Sequence, residues 1–507
     1  MNKYKKIFLT ISITAGAFAI NYGINFFLTP FITDNVGTDA YGYVSLAKTI
    51  ASYANIVTVA LNGYASRFIA VEYHNKCYKQ ANIYYSSVLL ADLVLALIMF
   101  LMLSVFSLNI NIFFVVPTSI LTDVKGLFVL IFLNLALNIS STALQAASYI
   151  ANKLDVTSAF RALSYIAEAG VLLLCYTWFT PHITYVAVGI LAGSLVICGC
   201  NAWLTVHCTP ELTAKISFFS FPAVKKLVSE GMWNSVSSIG SLLNSGLDLV
   251  VTNLWLSPLA MGQISIVKSI TTIFTTVYQQ MSTPFQPILL REYAINDKES
   301  LLKDLLQEMK IVGLVSGIVL MGFASLGQLY FQLWIPNQDT QLFYRIALIA
   351  VLSGIIEGVA NPLYYVYTLT VKNKLPSIIT ILGGCSNVLG MYVLIHYTEM
   401  GIYAVQITTA GVAVFIGLIF NPLYSAHCLQ LPLKTFYPTL FRHIGICFIM
   451  GAVLESLVSF FHPYNWIGLI CSASIEVAVG TTLYILLMFS KNEKLRLWYA
   501  IRKHLKK

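Results

Sequence analysis

Fourteen separate stretches of this chain are apolar over about the 20 residues that a helix needs to cross a bilayer. They are 7–29, 44–65, 82–105, 125–147, 160–180, 184–206, 231–256, 262–285, 310–330, 343–367, 378–397, 401–424, 442–461 and 466–489. In hydrocarbon every backbone N–H and C=O must find its partner within the segment, so each stretch is expected to be a helix. Composition agrees: of 507 residues, 58% are hydrophobic and 10% charged, where a soluble domain carries roughly 25% charged. The expected fold class is all-α, a polytopic membrane protein of about 14 transmembrane helices. So few polar residues exclude disordered, collagen-like and nucleic-acid-binding chains. The first stretch is not read as a signal peptide: it is long, lacks a small-residue cleavage site, and thirteen more follow.

The net charge of +9 is a topology signal. With the N-terminus placed in the cytoplasm, 26 of the 30 Lys and Arg fall in the inner loops and the two tails, as the positive-inside rule requires. The outer loops hold none, only acids such as Asp34, Asp39, Asp123, Asp339 and Glu399. One helix missed or invented would reverse every later loop and destroy the pattern. Both termini are therefore expected in the cytoplasm, with the basic residues facing anionic lipid rather than nucleic acid. The loops are too short for a soluble catalytic domain.

The chain also repeats. Shifted by 220 residues, 40–73 and 260–293 share eight of 34 positions, among them Gly42/Gly262, Ser45/Ser265, Lys48/Lys268, Glu72/Glu292 and Tyr73/Tyr293. The second and eighth stretches thus correspond, and the two halves run in parallel. The expected organisation is a six-helix bundle at 1–206, an inner loop at 207–230, a second six-helix bundle at 231–424, and two added helices with a basic tail at 425–507. Parallel repeats about an axis along the membrane normal are a transporter architecture.

Ionisable groups inside spans cost roughly 2.5–3.5 kcal/mol each at mid-bilayer, so those present need a wet surface or a partner. The acids are Asp92, Glu168, Asp248, Glu357, Glu455 and Glu476; the cations are Lys48, Lys268 and Arg345. Lys48 and Lys268 are repeat mates, no more than about 9 Å inside the outer ends of their helices at 1.5 Å per residue. Either alone could snorkel to the interface; as a matched pair they suit an anionic substrate, a phosphate above all. Asp248 lies at a depth close to that of Lys268, either as a structural ion pair or as a switch that phosphate displaces. Glu357, near Asn361-Pro362, could carry a coupling proton, touch substrate, or only bond a neighbouring helix. Arg345 is read as an interface anchor, and Glu455 and Glu476 as mutual contacts of the added helices. Asn21 and Asn25 share one face of the first span, and Asn234, Ser235, Ser237, Ser238, Ser241, Asn244 and Ser245 enrich the seventh. These could bind sugar hydroxyls or only pack helices.

No G-x-x-x-x-G-K-[ST] occurs, so no P-loop ATPase is encoded, and no H-E-x-x-H or other metal spacing appears. The nine cysteines form no C-x-x-C pair and read as small buried hydrophobes. No metal or cofactor is expected.

The segment N-Y-G-I-N-F-F-L-T-P-F-I at 21–32, followed by G-T-D-A-Y-G-Y-V-S-L-A-K at 37–48, together with the fourteen spans and the repeat, resembles the multidrug/oligosaccharidyl-lipid/polysaccharide exporter superfamily. Within it the chain is most similar to the Wzx-type polysaccharide flippases, over essentially its whole length. That resemblance implies alternating access in the bacterial inner membrane, driven by an ion gradient or the membrane potential. The implied substrate is an undecaprenyl-pyrophosphate-linked oligosaccharide repeat unit, as for O-antigen and lipopolysaccharide. It implies substrate contacts at Lys48 and Lys268, no enzymatic step, and a polysaccharide polymerase and chain-length regulator as possible partners. A drug/cation antiporter of the same superfamily is the alternative. A membrane glycosyltransferase or polymerase, with Asp34 and Asp39 as its acids, is a weaker one, since such enzymes need larger outer loops.

Overall fold

The computed structural model describes residues 3–151, 153–282, 285–370 and 372–495. Among them the chain is helical throughout, with no strand. Every one of the fourteen apolar stretches coincides with a helix: α1 (Lys3–Asn35), α2 (Thr38–Asn62), α3 (Tyr78–Leu108), α4 (Leu121–Ser140), α5 (Leu154–Trp178), α6 (Thr184–Cys208), α7 (Phe221–Ser245), α8 (Pro258–Ser282), α9 (Lys298–Trp334), α10 (Thr340–Ala360), α11 (Lys374–Tyr397), α12 (Ile402–Phe415), α13 (Tyr437–Phe461) and α14 (Trp466–Met488). Eleven helical stretches among the described residues are long and apolar enough to cross a membrane. The basic residues from Arg496 onwards lie outside the described residues.

Several of these helices are interrupted among the described residues, α4 among them, which passes through Thr142–Gln145 into Ala146–Ile150. α2 stops before Gly63 and resumes as Ala65–His74; α7 stops at Gly246 and resumes as Leu247–Trp255. α10 ends before Asn361-Pro362 and resumes as Leu363–Leu369, because Pro lacks the N–H and its ring crowds the carbonyl four residues back. α12 widens into a π-turn at Ile416–Phe420 before Pro422 and continues as Asn421–Leu429.

The chain divides into two compact units, Met1–Ser265 and Ile266–Lys507. In the first, α5 packs on α6 and α1, α3 on α4, α4 on α6, and α7 along α2. Gly231 of α7 is needed for the last contact, since a Cβ there would meet the Ala60 carbonyl. The segment 209–220 is strapped to α3 rather than free. Asn82 gives its Nδ2 to Glu211 O (3.0 Å) and takes the Thr213 N–H on Oδ1 (2.9 Å), while Ser86 and Ser87 accept from the N–H groups of Lys215 (3.1 Å) and Ser220 (2.9 Å).

In the second unit α9 is central, packed on α10, α13 and α14, with α12 on α10 and α11 on α12. The added helices are held by His443 of α13, which is buried and bonds Tyr484 Oη (2.7 Å) on α14 and Ile355 O (3.1 Å) on α10.

The repeat reaches the level of single turns. α2 and α8 begin and end exactly 220 residues apart, and α3 and α9 begin at the same offset. Lys76 and Asn296 both adopt left-handed backbone, with φ of 59° and 58°. Around them the same bonds recur: Lys76 N–H to Tyr73 O and Cys77 N–H to Glu72 O in one unit, Asn296 N–H to Tyr293 O and Asp297 N–H to Glu292 O in the other. This is the helix-ending pattern that satisfies last-turn carbonyls.

Candidate functional site

Lys48 heads a polar stripe on α2. Steps of three and four residues put Lys48, Ser52, Asn55, Val59 and Asn62 on one face of α2, and Ser66 follows in the first turn of Ala65–His74. Lys48, Ser52 and Asn55 are exposed and Asn62 and Ser66 half-buried. The same register on α8 gives Lys268, Thr272, Thr275, Gln279 and Ser282, with Thr272 and Gln279 exposed and Lys268 half-buried. Ionic and amide groups exposed at membrane depth are stable against water, not acyl chains. Each stripe has the chemistry of a surface that faces water rather than lipid.

The hydroxyls of these stripes share one chemistry. Ser52 Oγ donates to Lys48 O (2.9 Å), Thr272 Oγ1 to Lys268 O (2.7 Å) and Thr275 Oγ1 to Thr272 O (2.9 Å), while Ser282 at the far end donates to Asn361 Oδ1 (3.0 Å) and is the exception. Their protons are committed to the helix backbone, so what they present outward is lone pairs. A surface of acceptors beside an ammonium matches a phosphorylated sugar, whose hydroxyls donate and whose phosphate needs a cation.

Within the first unit, Glu168 of α5 is in electrostatic reach of Lys48, and Tyr165 joins it with Arg161 and Tyr22. Asn25, exposed on α1, donates to Asn21 O (2.9 Å) and reaches Asn21 Oδ1 (3.4 Å). Asn21 and Asn25 thus act as one polar step.

Near their starts α2 and the first turns of α8 cross at repeat-matched residues. A Cβ on Gly42 would lie 2.8 Å from Gly262 N, and the Ser265 hydroxyl donates to that of Ser45. Both contacts lie inside the first unit, and each residue meets its own repeat mate.

Asp248 is buried in the first turn of Leu247–Trp255, and its field reaches Tyr53 of α2. Glu357 is half-buried on α10, one turn before Pro362, with Tyr278 of α8 and Tyr364 in electrostatic reach. The π-turn of α12 packs beside it through Gly417, where a Cβ would meet Ile356; such turns recur at functional sites. Arg345 and Glu455 are exposed, and Glu476 is buried, accepting from Ser325 of α9 (2.7 Å) with Glu455 in its field. On α7, Ser235 donates to Ile56 O (3.1 Å), a packing bond. The side chains of Asn234, Ser237, Ser241, Asn244 and Ser245 lie outside the described residues.

Two acids lie buried behind the stripes, Asp92, which the sequence singles out, and Glu308, which it does not. Asp92 accepts from Asn62 Nδ2 (3.0 Å) and has no exposed surface. Glu308 of α9 is also buried, with Ser282 bearing on it. Since Asn62 and Ser282 are repeat mates, each half places a carboxylate behind the same position of its stripe. Glu308 lies in a charged turn just outside the apolar run that marks its helix, so hydropathy alone passes over it.

The chain belongs to the polysaccharide biosynthesis protein family, which it matches over residues 10–291. It is 27% identical over 430 residues to the membrane protein EpsK of Bacillus subtilis (strain 168), covering 83% of each chain. Its fold is that of the lipid II flippase MurJ in an inward closed conformation, at a TM-score of 0.69 and 15% identity, covering 93% of this chain and 98% of that one. It is also that of an inward-facing multidrug resistance MATE family transporter of the MOP superfamily, at 0.65 and 13%, covering 83% and 99%.

Proposed function

We propose that this protein is a flippase that moves a pyrophosphate-linked oligosaccharide on a polyprenyl lipid from the inner to the outer leaflet of the bacterial cytoplasmic membrane, for surface polysaccharide such as O-antigen. The observation that carries this reading is the matched pair of stripes, each a lysine followed by back-bonded hydroxyls and amides. Lys48 and Lys268 take the phosphate charge; Asn21, Asn25 and the stripe acceptors take sugar hydroxyls. The lipid tail stays in the bilayer. Glu357, at a helix break facing a π-turn, is the coupling group, and Asp248 is the group that gates. Both termini are cytoplasmic, and no bond of the substrate is made or broken. A polymerase and a chain-length regulator would act on the product outside.

Family membership in polysaccharide biosynthesis and the MurJ fold support a lipid-linked glycan; the MATE fold alone would fit a drug/cation antiporter equally. Lysine at the head of both stripes favours an anion over a cation. The test is a sidedness assay in proteoliposomes with labelled undecaprenyl-pyrophosphate oligosaccharide. Wild type should relocate it intact, and Lys48→Ala with Lys268→Ala should stop relocation with the protein still inserted. Joining of units in detergent would point to a polymerase. Normal export by the double mutant would remove both lysines from the path.

A further inference from the structure

The first unit contains a cavity of about 690 Å³ where α2 breaks. Its walls are the end of α2, the helix Ala65–His74 and the 3-10 turn Thr142–Gln145. Arg67 and His74 line it with Asn62, Ser66, Asn75 and Gln145, and no carboxylate does. Arg67 and His74 are seven residues apart on one helix, so they project from the same face two turns apart. Arg67 and His74 are exposed, so the guanidinium and the imidazole are open to a ligand. Asn62 forms the wall towards Asp92, which is sealed behind it.

The polar stripe of α2 runs into this cavity, because Asn62 and Ser66 belong to both. Comparison of the two repeats separates chemistry from scaffold. The second half keeps Glu292, Tyr293 and the left-handed turn at Asn296. At the positions matching Ser66, Arg67, His74 and Asn75 it has Gln286, Pro287, Ala294 and Ile295. The scaffold is common to both copies; the Arg67 and His74 pair belongs to one, and the second has a single Arg291 at the position matching Val71. A positive-inside charge could sit anywhere in an inner loop; it needs no cavity of this size around it.

We propose that this cavity binds a phosphate or pyrophosphate group bearing a hydroxylated sugar, with the Arg67 fork on the phosphate oxygens and Ser66, Asn75 and Gln145 on the sugar. The proposal rests on the flippase reading to this extent: it is where a lipid-linked headgroup would be received before it travels along the stripe to Lys48. A soluble sugar phosphate has the same chemistry, and the test separates the two sources.

The experiment uses the full chain in nanodiscs, with three probes: undecaprenyl-pyrophosphate oligosaccharide in the bilayer, inorganic pyrophosphate, and a nucleoside-diphosphate hexose in solution. Arg67→Gln should weaken binding about ten-fold or more, and Arg67→Lys should retain the larger part of the affinity. Tighter binding of the lipid-linked probe assigns the site to the headgroup; equal or tighter binding of the soluble probes assigns it to a free sugar phosphate. No dependence on Arg67 for any probe, at unchanged helix content, overturns the site. Flipping is measured on the same variants. Arg67→Gln should raise the substrate concentration for half-maximal rate and leave the saturated rate close to wild type, whereas the Lys48→Ala/Lys268→Ala protein should still bind through Arg67 while failing to flip. Unaltered flipping by Arg67→Gln at limiting substrate sinks the site and spares the flippase reading. Arg67-dependent binding in a wild-type protein that never relocates the lipid does the reverse.

Discussion

Gly42→Ala is a small change with a large expected consequence. An ideal Cβ at residue 42 would lie 2.8 Å from Gly262 N and 2.9 Å from Gly262 Cα, backbone atoms that cannot rotate aside, and 2.9 Å from Met261 Cε, which can. Carbon contacts settle near 3.5–4.0 Å, so the helices must part by roughly 0.6–1 Å at the crossing. Overpacking of this kind costs about 1–3 kcal/mol. Taking ~2 kcal/mol, the population with the crossing closed falls roughly 30-fold relative to the open one. The assay is disulfide formation between Ser45→Cys and Ser265→Cys in a protein otherwise free of cysteine, since the two serine hydroxyls bond each other here. Gly42→Ala should slow cross-linking by about ten-fold or more at unchanged helix content, and the cross-linked parent should be inactive until reduced. An undiminished cross-linking rate in Gly42→Ala would refute the idea that these glycines set the approach of α2 and α8.

Asn82→Leu removes two bonds that hold the strap, a loss of about 1–2 kcal/mol at this site; limited trypsin digestion should cut after Lys215 far faster than in wild type. His443→Leu leaves Tyr484 Oη without its partner in a buried contact and removes a second bond to Ile355 O, and the melting transition should fall as α13 and α14 loosen, with about 1–3 kcal/mol lost. Asp297 caps α9 by accepting the Ser300 N–H (3.0 Å), and that bond holds its carboxyl below the usual aspartate value. Because the folded-state value is the lower one, the cap's contribution is complete above about pH 4 and fades as the pH falls through the depressed value. Amide exchange at the start of α9 should accelerate across that acidic window, and Asp297→Ala should abolish the pH dependence.

Hydropathy places all fourteen helices, because a bilayer demands an apolar run of fixed length and little else satisfies that demand. It does not place the breaks at Gly63 and Gly246, which depend on which neighbour approaches the backbone. The offset of 220 is legible from eight identities and then holds for helix ends and for the turns at Lys76 and Asn296. The lysine pair is visible for the same reason. The rest of the stripe is not, since Ser52/Thr272 and Asn55/Thr275 share chemistry and not identity. The Arg67 cavity is hidden more deeply. In sequence Arg67 is one more inner-loop cation, and only folding of Thr142–Gln145 against the end of α2 gives it walls. Glu308 shows the limit from the other side: a charge next to a span is read as loop until the helix is seen to run on through it.

The hydroxyls of α2 and α8 that turn their protons inward have a mechanical consequence. Under the proposed function, a glycan sliding past them would exchange one water contact for another of similar strength at every step, so no position along the wall would become a deep trap. Such a wall wets sugars without gripping them. On that proposal it would tolerate many monosaccharides, leave selectivity to the charged ends, and keep friction low for a cargo far bulkier than an ion.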